Sequence, residues 1–106
     1  MSETKNKAST AAEERVVELS RPLIDQEGKE HTKLVLRDPN SAAYDRIGDP
    51  FVMLSIDNGR AGGVEVNRGR LLSYVAEVTG IHRPLLLTMS RSDMTAVTDA
   101  MFAFFA

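Results

Sequence analysis

The 106-residue chain has no cysteine and no tryptophan, and its aromatic share is 6%. Without cysteine there can be no disulfide, thiolate metal site or cysteine nucleophile, which fits a reducing cytoplasm. The only two histidines, His31 and His82, have no partners at ligand spacing, whereas a metal centre needs at least three N, O or S ligands held together. His82 follows the stop residue Gly80 and is expected to satisfy the last carbonyls of the preceding helix. The formal charge of −2 leaves no broad field of one sign to attract nucleic acid or an anionic membrane. No apolar run approaches the roughly 20 residues of a membrane span. Met1 to Lys7 leads into no apolar segment, so no signal peptide is expected.

Catalytic patterns are missing as well. Gly59-Arg60-Ala61-Gly62-Gly63, with Arg68 and Arg70 nearby, matches neither the phosphate-cradling P-loop nor the dinucleotide fingerprint. No serine sits in a nucleophile elbow. Asp25, Asp38, Asp45, Asp49, Asp57, Asp93 and Asp99 fall mostly in turns or at helix starts, where Asp is favoured for capping. Asp57-Asn58-Gly59 lacks the further ligands of a calcium loop. The chain therefore reads as a non-enzymatic protein without cofactor or metal.

Hydrophobic residues make up 42% and charged residues 26%, enough for one modest core. Residues 1–14 carry no large apolar side chain after Met1 and read as a disordered N-terminal tail. Residues 15–106 read as a single α+β domain, an N-terminal antiparallel β-hairpin packed against three or four short helices. Arg15 to Ser20 is β-rich, and Thr32-Lys33-Leu34-Val35-Leu36-Arg37 alternates with period two, placing Leu34 and Leu36 toward a core. Pro22 is expected to end regular pairing, and Gly28 to supply a tight turn.

A short helix is expected from Ser41 to about Ile47, capped by Asp38 or Asn40 and closed by Gly48-Asp49-Pro50. Phe51-Val52-Met53-Leu54-Ser55-Ile56 is an apolar run that periodicity assigns to neither strand nor helix, and Asp57 to Gly63 reads as a flexible loop. Asn67 caps the next helix, whose stripe is Leu71, Leu72, Val75 and Val78, with Gly80 as its stop. Pro84 leaves Leu85-Leu86-Leu87 as a short apolar turn. The last helix starts at Ser90 or Ser92, and Ser90 with Asp93 forms a capping-box pattern.

Along that helix Met94, Val97, Met101 and Phe104 recur at spacings of three and four, on one face. Phe102 and Phe105 point elsewhere, so the end of the helix offers more aromatic surface than a small core easily takes. Exposed aromatic and methionine surface marks protein-binding sites. Met94, Val97, Met101, Phe102, Phe104 and Phe105 are the candidate partner-binding residues. A second copy of the chain is one candidate partner. Met53, Met94 and Met101 would suit an adaptable surface, although core packing explains each equally.

Several of these segments, in this order, resemble the tail assembly chaperone family of Mu-like and related contractile-tailed phages. The likeness begins with Val17-Glu18-Leu19-Ser20-Arg21-Pro22 and the Gly28-Lys29 turn. Leu34-Val35-Leu36-Arg37-Asp38-Pro39 is similar to the family's LxLReP signature. Leu71-Leu72 through Val78-Thr79-Gly80-Ile81 is similar to its LTG helix end, and Ser92-Asp93-Met94 through Phe104 to its last helix. The middle third departs, with Gly48-Asp49-Pro50 and a longer glycine-rich loop. The resemblance implies binding of the tape measure protein, and of tail tube subunits, in the host bacterial cytoplasm during tail assembly. It also implies a longer frameshifted form in many members. The rival readings are a self-associating structural tail or connector subunit, a small DNA-binding regulator, and an enzyme.

Overall fold

Hairpins and helices alternate along the chain in the computed structural model, which describes residues 14–56 and 61–106. Strands β1 (Arg15–Ile24) and β2 (Glu30–Leu36) are followed by helix α1 (Ser41–Ile47), and then by strands β3 (Phe51–Ile56) and β4 (Ala61–Val66). Helices α2 (Arg68–Thr79), α3 (Arg83–Leu86) and α4 (Arg91–Phe105) complete the order. The class is α+β, as the sequence implies, with a second small sheet that the sequence did not announce. All of the expected N-terminal tail but Glu14 lies outside the described residues, as does the 57–60 part of the expected loop.

β1 and β2 pair antiparallel, Val17 opposite Leu34 and Arg15 opposite Leu36. Period-two alternation drives Val17, Leu34 and Leu36 inward, where all three are buried. Contrary to expectation, Pro22 does not end the hairpin. The register shifts between Glu18 and Leu23, and pairing resumes at Leu23–His31 and Ile24–Glu30. Pro22 has no N–H to contribute to a ladder and is tolerated inside this bulge. The turn is fixed by Asp25, whose carboxylate accepts from the N–H groups of Glu27 and Lys29 at 3.0 and 2.9 Å. Gly28 takes φ +83°, a conformation that glycine adopts without strain.

Three of the four helices begin where a short polar side chain satisfies a free backbone donor. Asn40 accepts from Ala43 N–H, Asn67 from Arg70 N–H and Ser90 from Asp93 N–H. Gly80 ends α2 in the left-handed conformation, with its N–H on the Ala76 carbonyl. That bond and the Thr79 hydroxyl on Val75 O satisfy the end of α2. His82, expected in this role, starts α3 instead, its carbonyl accepting from Leu85 and Leu86 N–H.

α2 lies against β2 and α4 against β1, with α3 beside both α2 and β1. Leu71, Leu72 and Val75 of the expected stripe are buried, while Val78 is half-buried. Tyr74, not singled out from sequence, is also buried, and its hydroxyl donates to the Gly48 carbonyl at 2.7 Å. That bond ties α2 to the end of α1. Burying each such aliphatic side chain contributes about 1.5–3 kcal/mol.

The run left open from sequence, Phe51 to Ile56, is strand β3. It pairs with β4 through Phe51–Val66, Met53–Val64 and Leu54–Gly63. Ala61 to Gly63, expected within a loop, belong to β4. At Gly62 a β-carbon would stand 2.5 Å from the Leu54 carbonyl oxygen, so only glycine permits this approach of the two strands.

Candidate functional site

The carboxylate most removed from water is Asp93, in the first turn of α4. The capping box is only half formed. Ser90 caps Asp93 N–H, but the Asp93 carboxylate reaches across to β1. There both oxygens accept from Ser20 N–H at 3.0 Å, and Oδ2 also accepts from the Ser20 hydroxyl at 3.0 Å. The β1 bulge leaves Ser20 N–H outside the strand ladder, and Asp93 satisfies it. Burial pushes the Asp93 carboxyl up. The hydrogen bonds from Ser20 and Ser90, with the Arg21 charge, outweigh this and hold it below the ordinary carboxylate range. Arg21 adds a bond to the Thr88 carbonyl at 3.3 Å. α4 is therefore docked on the hairpin at its first turn, and its far end is positioned by that anchor.

The six candidate partner-binding residues lie along α4 in three settings. Val97 and Met101 are fully buried, so they offer no surface to a partner in this conformation, and Met101 takes the core position that its place on the apolar stripe also explains. Their side chains fill the core between α4 and the hairpin. Met94, Phe102, Phe104 and Phe105 are half-buried. Phe102 and Phe105, expected to face outward, close around the ring of Phe51 at the base of β3. The Phe51–Phe102 centroids lie 5.0 Å apart at 77°, and the Phe51–Phe105 centroids 5.7 Å apart at 57°. Phe105 also meets Tyr74 edge-on at 5.1 Å. Edge-to-face geometry brings the positive ring edge onto a negative face, an added stabilisation of about 0.5–1.5 kcal/mol per pair.

Phe104 and Phe105 leave part of their surface facing an open cleft of about 320 Å³ between the end of α4 and the start of α1. Asp38, Pro39, Asn40, Ser41, Tyr44 and Asp49 complete its walls. The Tyr44 hydroxyl donates to Asp49, and that bond to a carboxylate raises the Tyr44 pKa. The Arg15 guanidinium stands over the Phe104 ring, 6.0 Å from its centroid. The cleft is thus lined by two aromatic side chains, Phe104 and Phe105, together with polar groups that include the carboxylates of Asp38 and Asp49.

Sequence reasoning missed a second exposed region. Val52, Met53, Leu54 and Val64 of the β3–β4 ribbon are open to solvent, Met53 at 62%. The signal was present as an uninterrupted apolar run, which reads as buried unless its neighbours are known. Of the three methionines suited to an adaptable surface, Met53 is exposed, Met94 half-exposed and Met101 enclosed.

The polar groups elsewhere serve the fold. His31 Nε2 lies 3.1 Å from Asp25 Oδ2, but that carboxylate already receives the turn amides. Hydrogen bonds from Lys29 N–H first, and then from His31, lower the Asp25 pKa. A second open cleft, about 350 Å³, includes Arg46, Ile81, His82 and Arg83, and there Arg46 pairs with Glu77 at 2.6 Å. Among the described residues no group of three His, Asp or Glu is placed to hold a metal ion, and no helix is long and apolar enough to cross a membrane.

Searches of curated proteins and of solved structures returned no significant match. The family model described as phage tail assembly chaperone proteins, E, or 41 or 14, matches residues 16–106. That span takes in nearly all of the hairpin, its bulge, both clefts and the whole of α4, and because the match covers most of the chain, the chain belongs to the phage tail assembly chaperone family.

Proposed function

We propose that this chaperone binds the tape measure protein during tail morphogenesis, in the cytoplasm of the bacterial host, and acts by holding that client rather than by catalysis. The observation that supports this is the cleft lined by Phe104 and Phe105, at the end of a helix otherwise committed to the core. A cleft that sets Phe104 and Phe105 beside Asp38 and Asp49 suits an amphipathic client helix whose apolar residues meet the rings and whose basic residues meet the carboxylates. Tail tube subunits are a second client under the same reading.

Co-expression with the tape measure protein from the same phage tests this. The wild-type chaperone keeps the client in the soluble fraction. Phe104→Ser, which alters the cleft lining and spares Val97 and Met101, returns it to the pellet. Equal solubility with and without the chaperone would refute the reading. The competing reading is a structural tail or connector subunit, and it requires the chain to be stoichiometric in purified virions.

A further inference from the structure

We propose that strand β3 is a self-recognition edge, through which two copies of the chain pair antiparallel into a four-stranded sheet. This stands on the geometry of the ribbon alone and does not depend on which client the cleft holds.

A two-stranded hairpin is marginal in water unless a third strand or a helix covers it. β3 and β4 form a sheet of two strands, and among the described residues the ribbon meets the rest of the chain mainly at its base, where Phe51 contacts α4 and Val66 packs against the core. Each strand has one edge already paired, so among the described residues the outer edge of β3 is a row of backbone donors and acceptors without strand partners. Proteins commonly protect such edges with charge or proline. β3 reads Phe-Val-Met-Leu-Ser-Ile and carries neither.

The sequence of that edge complements itself. In an antiparallel pair related by a two-fold axis normal to the sheet, opposed residues share a face, so the axis must pass through a residue. With the axis at Met53, Met53 faces Met53 of the second copy. Val52 then faces Leu54 of the second copy, a pair the symmetry repeats. These are the side chains left exposed: Val52 at 43%, Met53 at 62% and Leu54 at 46%. Cross-strand pairs of β-branched and aliphatic residues are the stabilising unit of a sheet.

Charge also favours a second copy over a charged client. Nothing on β3 can be matched or repelled electrostatically, and a formal charge of −2 per chain opposes association only weakly. The pairing also closes. The outer edges of the four-stranded sheet would be β4 in both copies, and β4 carries Glu65 with the two glycines Gly62 and Gly63. A charge on a short edge strand resists further addition, so the product is a dimer and not a fibre. Three half-exposed side chains and a six-residue edge bury on the order of a few hundred Å² per copy, below the roughly 800 Å² of a standard interface. The dimer therefore belongs to the reversible, concentration-dependent class.

The absence of cysteine makes the test direct. Opposed antiparallel residues have Cα atoms about 4.5–5.5 Å apart, within the range a disulfide spans. Met53→Cys should form a disulfide-linked dimer about tenfold faster than Leu87→Cys, an equally exposed site on another surface. Adding Leu54→Lys should abolish that advantage, with an unchanged circular dichroism spectrum showing that the fold persists. In wild-type protein, sedimentation should show the dimer growing with concentration, and β3 amides should gain hydrogen-exchange protection in parallel. Equal cross-linking rates at the two cysteines would overturn the proposal. So would a monomer at every concentration, or β3 protection that appears only when the tape measure protein is added.

Discussion

The hairpin β1–β2 alternates buried Val17, Leu34 and Leu36 with outward-facing neighbours, and α2 and α4 lie across its inner face. Strand β3 has no such alternation and carries apolar side chains on both faces, and among the described residues the ribbon meets the core at its base, through Phe51 and Val66. The same antiparallel motif is thus used in two ways. In β1–β2 the backbone pairing and the side-chain burial support each other, so the element is part of the core. In β3–β4 the pairing is present without the burial, so the element is left as surface. The contrast teaches that a hairpin's role here is decided by what covers it.

The comparison is broken most severely by Leu36→Ala. It deletes a fully buried side chain and should cost about 2–5 kcal/mol, read as a lower urea midpoint. Asp93→Ala comes next. It leaves Ser20 N–H without its partner and should cost about 1–3 kcal/mol, with the loss confined to the docking of α4 on β1.

The same contact has a pH signature. The folded-state pKa of Asp93 is lowered, so its contribution is complete above the ordinary value of 3.8. It is then lost as pH falls through the lower folded value. Wild-type stability should therefore drop more steeply below that pH than the stability of Asp93→Asn, measured by urea titration. A parallel pair of curves would remove the carboxylate from this role.

Phe51→Ala should cost about 1–2 kcal/mol through its two aromatic contacts, and the loss should appear in the ribbon. Hydrogen exchange in β3 and β4 should accelerate while that in β1 and β2 stays unchanged. The smallest effect sharpens the comparison. Leu54→Ala lies on the uncovered ribbon and should shift the stability of the monomer by no more than about 0.5 kcal/mol.

Sequence reasoning reached the first hairpin and failed on the second for a physical reason. In β2 the period-two pattern around Leu34 and Leu36 reports a sheet with one covered face. In β3 the run from Phe51 to Leu54 is apolar at every position, a pattern equally compatible with a buried strand, a buried helix turn and a strand awaiting a partner. The helices were legible at their ends, because the Asn40, Asn67 and Ser90 caps act within three residues. Tyr74 was within reach, since it stands three residues after Leu71 and four before Val78 on the same stripe. Of the candidate site, the aromatic character of the end of α4 was legible. The assignment of Phe102 and Phe105 to the base of the ribbon was not, because it depends on Phe51, about fifty residues earlier and unassigned. The destination of the Asp93 carboxylate was hidden for the same reason. Local pattern reads a capping box there, and only the tertiary fold brings the β1 bulge within reach.

The bond between Ser20 and Asp93 also joins positions 73 residues apart and so constrains the order in which the chain becomes structured. On the ribosome the first hairpin emerges with its bulge amide unanswered, and the carboxylate that completes it follows 73 residues later. The hairpin can collapse early onto α2, but its final register around Pro22 is fixed only when α4 arrives. A nascent chain stopped before α4 would keep a loose strand β1, so the arrival of α4 completes the folding of the first strand.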